Sequence, residues 1–263
     1  MTQYSMIIDL QKCVGCGSCA LACKTENNTE LRNNGQTHNW ADFVHETTGE
    51  FPNTGYRTLP VLCNHCSDPA CAKDCPAEPA AIFKTADGLT MVNNERCIGC
   101  RQCQDNCPYS MEDVEKDAAY GEYSVISYNS DEIPVQSFFK NSEVAIPGCT
   151  SSGIDTARAV RATPPHRTKY RHPDYEDVRR DTIVEKCTFC DHRVKRGKLP
   201  RCVDACPADA RVFGDMNDPN SKVRQLLGKF RPFRLREQIG TEPHVFYIRD
   251  FNPANYQPSK GGI

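Results

Sequence analysis

Apolar positions along this chain come in short bursts rather than long periodic stretches. YSMIIDL near the start, ARVFGDMND after residue 209 and HVFYIRDF near the end each read as one strand, because β-branched and aromatic residues bunch there. Residues 80–94, AAIFKTADGLTMVNN, read as a hairpin with Ala86, Asp87 and Gly88 at its turn. SKVRQLLGKF, residues 221–230, predicts a helix with Ser221 as its cap. No apolar run reaches the ~18 residues of a membrane-spanning helix, so none is expected. MTQYSMIIDLQKC lacks the basic start and apolar centre of a secretory signal.

Hydrophobic residues make up only 38% of the 263 positions, so burial alone is a thin source of cohesion for a chain of this length. The 17 cysteines are the obvious supplement. A formal charge of −2 gives no support for nucleic-acid binding.

Sixteen of the 17 cysteines fall into four groups. Cys13, Cys16, Cys19 and Cys23 are spaced C-x2-C-x2-C-x3-C, and Cys97, Cys100, Cys103 and Cys107 repeat that spacing with a proline after the last. Cys63, Cys66, Cys71 and Cys75 follow C-x2-C-x4-C-x3-C-P. Cys187, Cys190, Cys202 and Cys206 follow C-x2-C-x11-C-x3-C-P. The first and third groups match the bacterial ferredoxin run, in which the fourth cysteine ligates the neighbouring cluster. Three close thiolates wrap one cubane, and the fourth lies a turn further on and faces away. The proline beside it cannot continue a hydrogen-bonded turn.

Two other chemistries compete for these cysteines. A disulfide framework suits a small secreted chain and requires no repeated spacing. Structural zinc uses C-x2-C hooks, but C-x2-C-x2-C-x3-C crowds its ligands beyond what a zinc ribbon needs. Four [4Fe-4S] clusters account for the repeat. Cys149 belongs to no group and reads as a free buried thiol. No C-x2-C-H occurs, so covalent haem is not indicated. His38, His45, His65, His166, His172 and His192 are scattered and read as surface or core residues rather than ligands. No catalytic residue is expected: there is no G-x-G-x-x-G, no P-loop and no Ser-His-Asp arrangement. Residues 24–58, with the single Trp40, and the polar residues 111–182, with TPPHRTKYRHPDYEDVRR near their end, read as insertions.

The four-group order resembles the four-cluster iron–sulfur subunit of molybdopterin oxidoreductases of the dimethyl sulfoxide reductase superfamily. MIIDLQKCVGCGSCALACKTENNT, LCNHCSDPAC, EKCTFCDHR, CVDACP and SKVRQLL are most similar to the small subunit of respiratory arsenate reductases. The equivalent subunits of polysulfide, tetrathionate, dimethyl sulfoxide and catechol-dehydroxylating enzymes stand as alternatives, as does a free polyferredoxin. The resemblance implies that groups one and four pair, as do groups two and three. Cluster 1 would then take Cys13, Cys16, Cys19 and Cys206, and cluster 2 Cys23, Cys187, Cys190 and Cys202. Cluster 3 would take Cys75, Cys97, Cys100 and Cys103, and cluster 4 Cys63, Cys66, Cys71 and Cys107. No cysteine is missing, so a three-iron site with a substituted tryptophan is not expected. Cys23 departs from the pattern only in being followed by Lys24 instead of proline.

The implied fold is α+β, with two bacterial-ferredoxin-like halves. Residues 1–60 and 183–220 would form the first, discontinuous half and residues 61–110 the second. Residues 111–182 would be an insertion, and residues 221–263 a C-terminal docking extension. The implied partners are a molybdopterin catalytic subunit, closest to cluster 1, and a quinol-oxidising membrane anchor or soluble redox protein. Direct membrane insertion is not expected. Location would be periplasmic, by export with the catalytic subunit, or else cytoplasmic.

Sixteen thiolates and four oxidised cubane cores, of charge about +2 each, would bring the formal −2 to about −10. Arg193, Lys195, Arg196, Lys198 and Arg201 lie between fourth-group ligands. They either offset that charge or form a solvated, partner-facing loop.

Overall fold

Strand β1 (Tyr4–Asp9) is buried along almost its whole length, which explains its near-continuous apolar run. The computed structural model describes residues 1–27, 29, 40–110, 125–129, 144, 146–162 and 182–250. His38, His166, His172 and TPPHRTKYRHPDYEDVRR lie outside the described residues, as does the tail beyond 250.

Successive side chains of a strand point to opposite faces. Met6 and Ile8 therefore enter the main core with Val245 and Tyr247. Ile7 enters a second cluster with Val223, Phe246 and Ile248. Burying each such side chain contributes about 1.5–3 kcal/mol.

Helix α1 (Ser18–Asn27) follows the first cysteine loop. Strands β2 (Ala41–Thr48) and β3 (Gly55–Leu62) then form an antiparallel hairpin where the sequence reads as a polar insertion. The outer part of β3 is exposed, so its polar residues carry no alternating signal. After helix α2 (Ala70–Lys73), β4 (Ile82–Lys84) and β5 (Thr90–Val92) make the expected hairpin. Helix α3 (Gln102–Asp105) ends the second half.

Strand β6 (Ile126–Asn129) and helix α4 (Gly153–Ala159) come from the 111–182 segment. β6 pairs antiparallel with β7 (Ile183–Lys186), which leads into the fourth cysteine group. That group carries the short helices α5 (Asp191–Val194) and α6 (Arg201–Asp204). Strand β8 (Arg211–Asp215) then returns antiparallel to β1.

The hairpin β4–β5 and the pair β1–β8 have the same logic. In each, one strand leaves a C-x3-C-P turn and the other enters a C-x2-C-x2-C loop, so the second is a local copy of the discontinuous first.

Helix α7 (Lys222–Lys229) is capped as expected: the Ser221 hydroxyl oxygen accepts from the Arg224 amide at 3.2 Å. Strand β9 (Val245–Ile248) pairs parallel with β1, completing the order β8–β1–β9. The expected C-terminal docking extension thus supplies core within its described part. Its four β9 residues are all buried, two on each face of the sheet, so they cannot be only a docking surface.

Candidate metal centres

Each C-x3-C pair spans a helical turn. Cys19 and Cys23 lie on α1, while Cys71, Cys103 and Cys202 sit on α2, α3 and α6 with their partners just beyond. Residues four apart share a helix face one turn apart. One short helix can therefore present one thiol to one site and the next thiol to its neighbour.

The turns before these helices need left-handed backbone. Gly15 and Gly99, in the equivalent CVGC and CIGC loops, have φ of 66° and 71°. A Cβ on Gly15 would stand 3.0 Å from Thr58 Oγ1, and one on Gly99 would strike the Thr182 carbonyl oxygen. Glycine is required at both.

Three cavities of similar size follow, with about 350, 340 and 300 Å³ of unfilled space counting the part open to solvent. Cys13, Cys16, Cys19 and Cys206 line the first. Cys63, Cys66, Cys71 and Cys107 line the second, and Cys75, Cys97, Cys100 and Cys103 the third. The remaining four thiols are also gathered: burial, and then the proximity of Cys187, Cys190 and Cys202, push the Cys23 thiol well above its ordinary pKa. Among the described residues no three His, Cys, Asp or Glu side chains close on a single ion, so the thiols ring spaces rather than points. That arrangement fits a cubane better than tetrahedral zinc.

Hydrogen-bond donors point at several of the sulfurs. Backbone N–H groups of Ala81 and Ala210 donate to Cys75 and Cys206 Sγ, both at 3.3 Å. Those of Phe189 and Arg201 donate to Cys187 and Cys190 Sγ at 3.4 and 3.5 Å. Asn27 Nδ2 donates to Cys23 Sγ at 3.3 Å and reaches Cys190 Sγ at 3.9 Å. Asn27 carries no sequence signal beyond standing four residues after Cys23. With thiols alone, burial holds Cys66 up to about 11 and Cys103, Cys107 and Cys190 up to about 12. Iron ligation requires the thiolate, so loading these sites releases protons.

The four sets form a row. Cys19 lies near Cys202, Cys187 near Cys63, and Cys103 near Cys71 and Cys107. In the numbering above, the spatial order is 1, 2, 4, 3. The two end sets are the open ones, with Cys16 and Cys100 exposed; Cys149, expected to be buried, is exposed as well. It lies in the turn after Ile146, where residues 146–151 are all exposed.

The basic loop of the fourth group faces solvent. Lys195, Arg196 and Lys198 are exposed. Lys195 pairs with Asp191 at 2.8 Å, Arg201 with Asp204 at 2.5 Å, and Arg193 with Asp204 at 3.2 Å and Glu26 at 3.4 Å. The buried cations lie elsewhere. Lys186 is 2% exposed, and its ammonium donates to the Thr90 and Cys187 carbonyls. Lys84, although an exposed residue, turns its ammonium to the Gly88 and Cys66 carbonyls at 2.6 and 2.8 Å. Arg211 is 3% exposed and lines the first cavity. Lys186 stands immediately before Cys187, and Arg211 stands five residues beyond Cys206. Neither belongs to a charge run that would draw notice.

His65 and His192 are buried. Burial, with Lys186 and Lys84 nearby, holds His65 well below its ordinary pKa. His192 contacts Glu26 at 2.9 Å. His244 takes Ser67 at 2.6 Å and Ser5 at 3.3 Å.

A family model described as a 4Fe-4S dicluster domain matches residues 54–125 and 131–216, and a 4Fe-4S binding domain matches residues 4–25. The chain is 45% identical to the arsenate respiratory reductase iron-sulfur subunit of Shewanella sp. strain ANA-3, over 95% of this chain and 97% of that one. It is 34% identical to a selenate reductase subunit of Mesobacillus selenatarsenatis, and 32% to a tetrathionate reductase subunit of Salmonella typhimurium. Each of those two alignments covers 94% of this chain and 72% of the relative.

Proposed function

We propose, for a chain that belongs to the 4Fe-4S dicluster iron–sulfur subunits of molybdoenzymes, that it holds four [4Fe-4S] clusters and relays single electrons along them. It is an electron-transfer subunit rather than a catalytic one. The four ligand sets are those that the cavities and the second, buried gathering of thiols bring together. The clusters supply the redox chemistry; the chain supplies sixteen thiolates, their N–H donors and a fixed row.

The row is the observation that carries this reading. Its inner sets are buried and its outer sets reach the surface at Cys16 and Cys100. Beside each stands an exposed apolar residue at the equivalent loop position: Val14 at 74% and Ile98 at 65% exposure. Electrons would enter at one end and leave at the other. We assign the Val14 end to a molybdopterin catalytic subunit and the Ile98 end to a quinol-linked or soluble redox partner. No described helix is long and apolar enough to cross a membrane.

The relative at 45% identity is named for arsenate respiration, which supports arsenate as the terminal substrate of the complex. Location in the periplasm, by export with the catalytic subunit, completes the proposal. The test is to isolate the complex, reduce its clusters and follow cluster absorbance after adding arsenate, selenate or tetrathionate. Fastest reoxidation by arsenate is expected. Faster reoxidation by another oxyanion overturns the substrate assignment, and isolation without a molybdenum subunit overturns the partner.

A further inference from the structure

Arg211 opens β8, opposite Ile8 of β1, and is almost wholly buried. Its side chain lines the cavity ringed by Cys13, Cys16, Cys19 and Cys206. It also faces the Cys202 thiol, which belongs to the neighbouring set. Nη1 lies 3.8 Å from Met6 Sδ, and Nη2 is buried with no hydrogen-bond partner. Among the described residues no carboxylate forms an ion pair with it.

A guanidinium cannot shed its proton at ordinary pH, and burying it unpaired is costly. Lys186, equally buried, solves the same problem with carbonyl acceptors. Arg211 has none; the groups beside it are the Cys202 and Cys19 sulfurs of two different ligand sets, so its counter-charge is the charge those sets carry when loaded. An oxidised [4Fe-4S] core with four thiolates carries about −2, and one added electron makes it about −3.

We propose that Arg211 is a permanent counter-cation shared by clusters 1 and 2, holding both at higher potential than the chain would otherwise give them. The inference rests on the four-cluster reading and goes beyond it, because it assigns a non-ligand residue to two clusters at once. Each reduction adds one electron from the neighbouring centre and no proton at Arg211, so the cation favours the reduced state of whichever cluster holds the charge. Cluster 4, across the His65–Phe189 contact, has Lys186 and Lys84 near its thiols instead.

The experiment is an EPR-monitored potentiometric titration of the isolated holo-complex carrying Arg211→Gln or Arg211→Lys, with iron content measured on each. In R211Q two of the four potentials should move down while two stay. R211K, which keeps the charge, should return both toward the wild-type values. Unchanged potentials in R211Q, an equal shift of all four, or a lysine variant indistinguishable from glutamine each overturn the proposal. If R211Q loses iron, R211K decides alone: retention of all clusters near wild-type potentials supports a charge role, and a matching loss shows that side-chain shape matters instead. Wild-type iron near sixteen per chain keeps failure here distinct from failure of the four-cluster reading.

Discussion

The imidazole of His65 lies against the ring of Phe189, with centroids 3.9 Å apart and planes tilted by 31°. The two residues occupy the same position in two C-x-x-C hooks: His65 just before Cys66, Phe189 just before Cys190. Both have left-handed backbone, with φ of 46° and 50°. Thr90 N–H donates to His65 Nδ1 at 3.1 Å, which leaves Nε2 as the protonated nitrogen of the neutral ring. The pair is the joint between the halves, where Cys187 of one comes near Cys63 of the other.

Phe189 is 1% exposed and also meets Phe213 edge-on at 5.3 Å. Phe189→Ala should cost about 3–5 kcal/mol, since the site is walled by two halves that cannot easily collapse. Phe51, 91% exposed, is the control; its alanine variant should stay within about 0.5 kcal/mol. Denaturant midpoints measure both, and a loss below about 1 kcal/mol at Phe189 contradicts the joint.

Cys206 sits with Cys13, Cys16 and Cys19 rather than with its own group. Cys206→Ser should therefore disturb the EPR signal of cluster 1 and leave cluster 2 intact. Selective loss of the cluster held by Cys187, Cys190 and Cys202 would refute that grouping.

The loop between Cys190 and Cys202 is basic, but Arg201 is already paired with Asp204 and Lys198 is exposed. Lys198→Gln and Arg201→Gln should leave all four potentials unchanged and alter stability by no more than about 1 kcal/mol. A downward shift of the cluster 2 potential in either variant would restore the loop as a tuning element.

Burial, with Lys84 and Arg234 adding to it, lowers the His244 pKa from 6.5 to about 4. Its neutral ring therefore contributes stability that is present above pH about 6.5 and lost as pH falls toward about 4, by up to about 3 kcal/mol. Across that window the unfolded chain binds one more proton than the folded chain. His244→Gln should flatten the pH dependence of the denaturation midpoint there by about one proton. An unchanged slope would place the acid sensitivity elsewhere.

Much of this was legible in the sequence because it rests on short-range spacing. C-x3-C is a helical turn, Ser221 is a cap, and Ala86-Asp87-Gly88 is a turn between two short apolar runs. The β2–β3 hairpin was not legible, since an exposed ladder tolerates polar residues on either side. The β6–β7 pairing joins residues some 60 apart, and no local pattern encodes that. Arg211 was hidden for another reason. Its importance comes from folding β8 back onto β1, which sets one lone arginine between two thiol sets from opposite ends of the chain.

The central claim is that sixteen gathered thiols hold four cubanes, and metal content tests it most directly. The holoprotein, isolated without air, should contain about sixteen irons and a matching amount of acid-labile sulfide per chain, with negligible zinc. About four zinc ions without sulfide, or about eight irons, would contradict it.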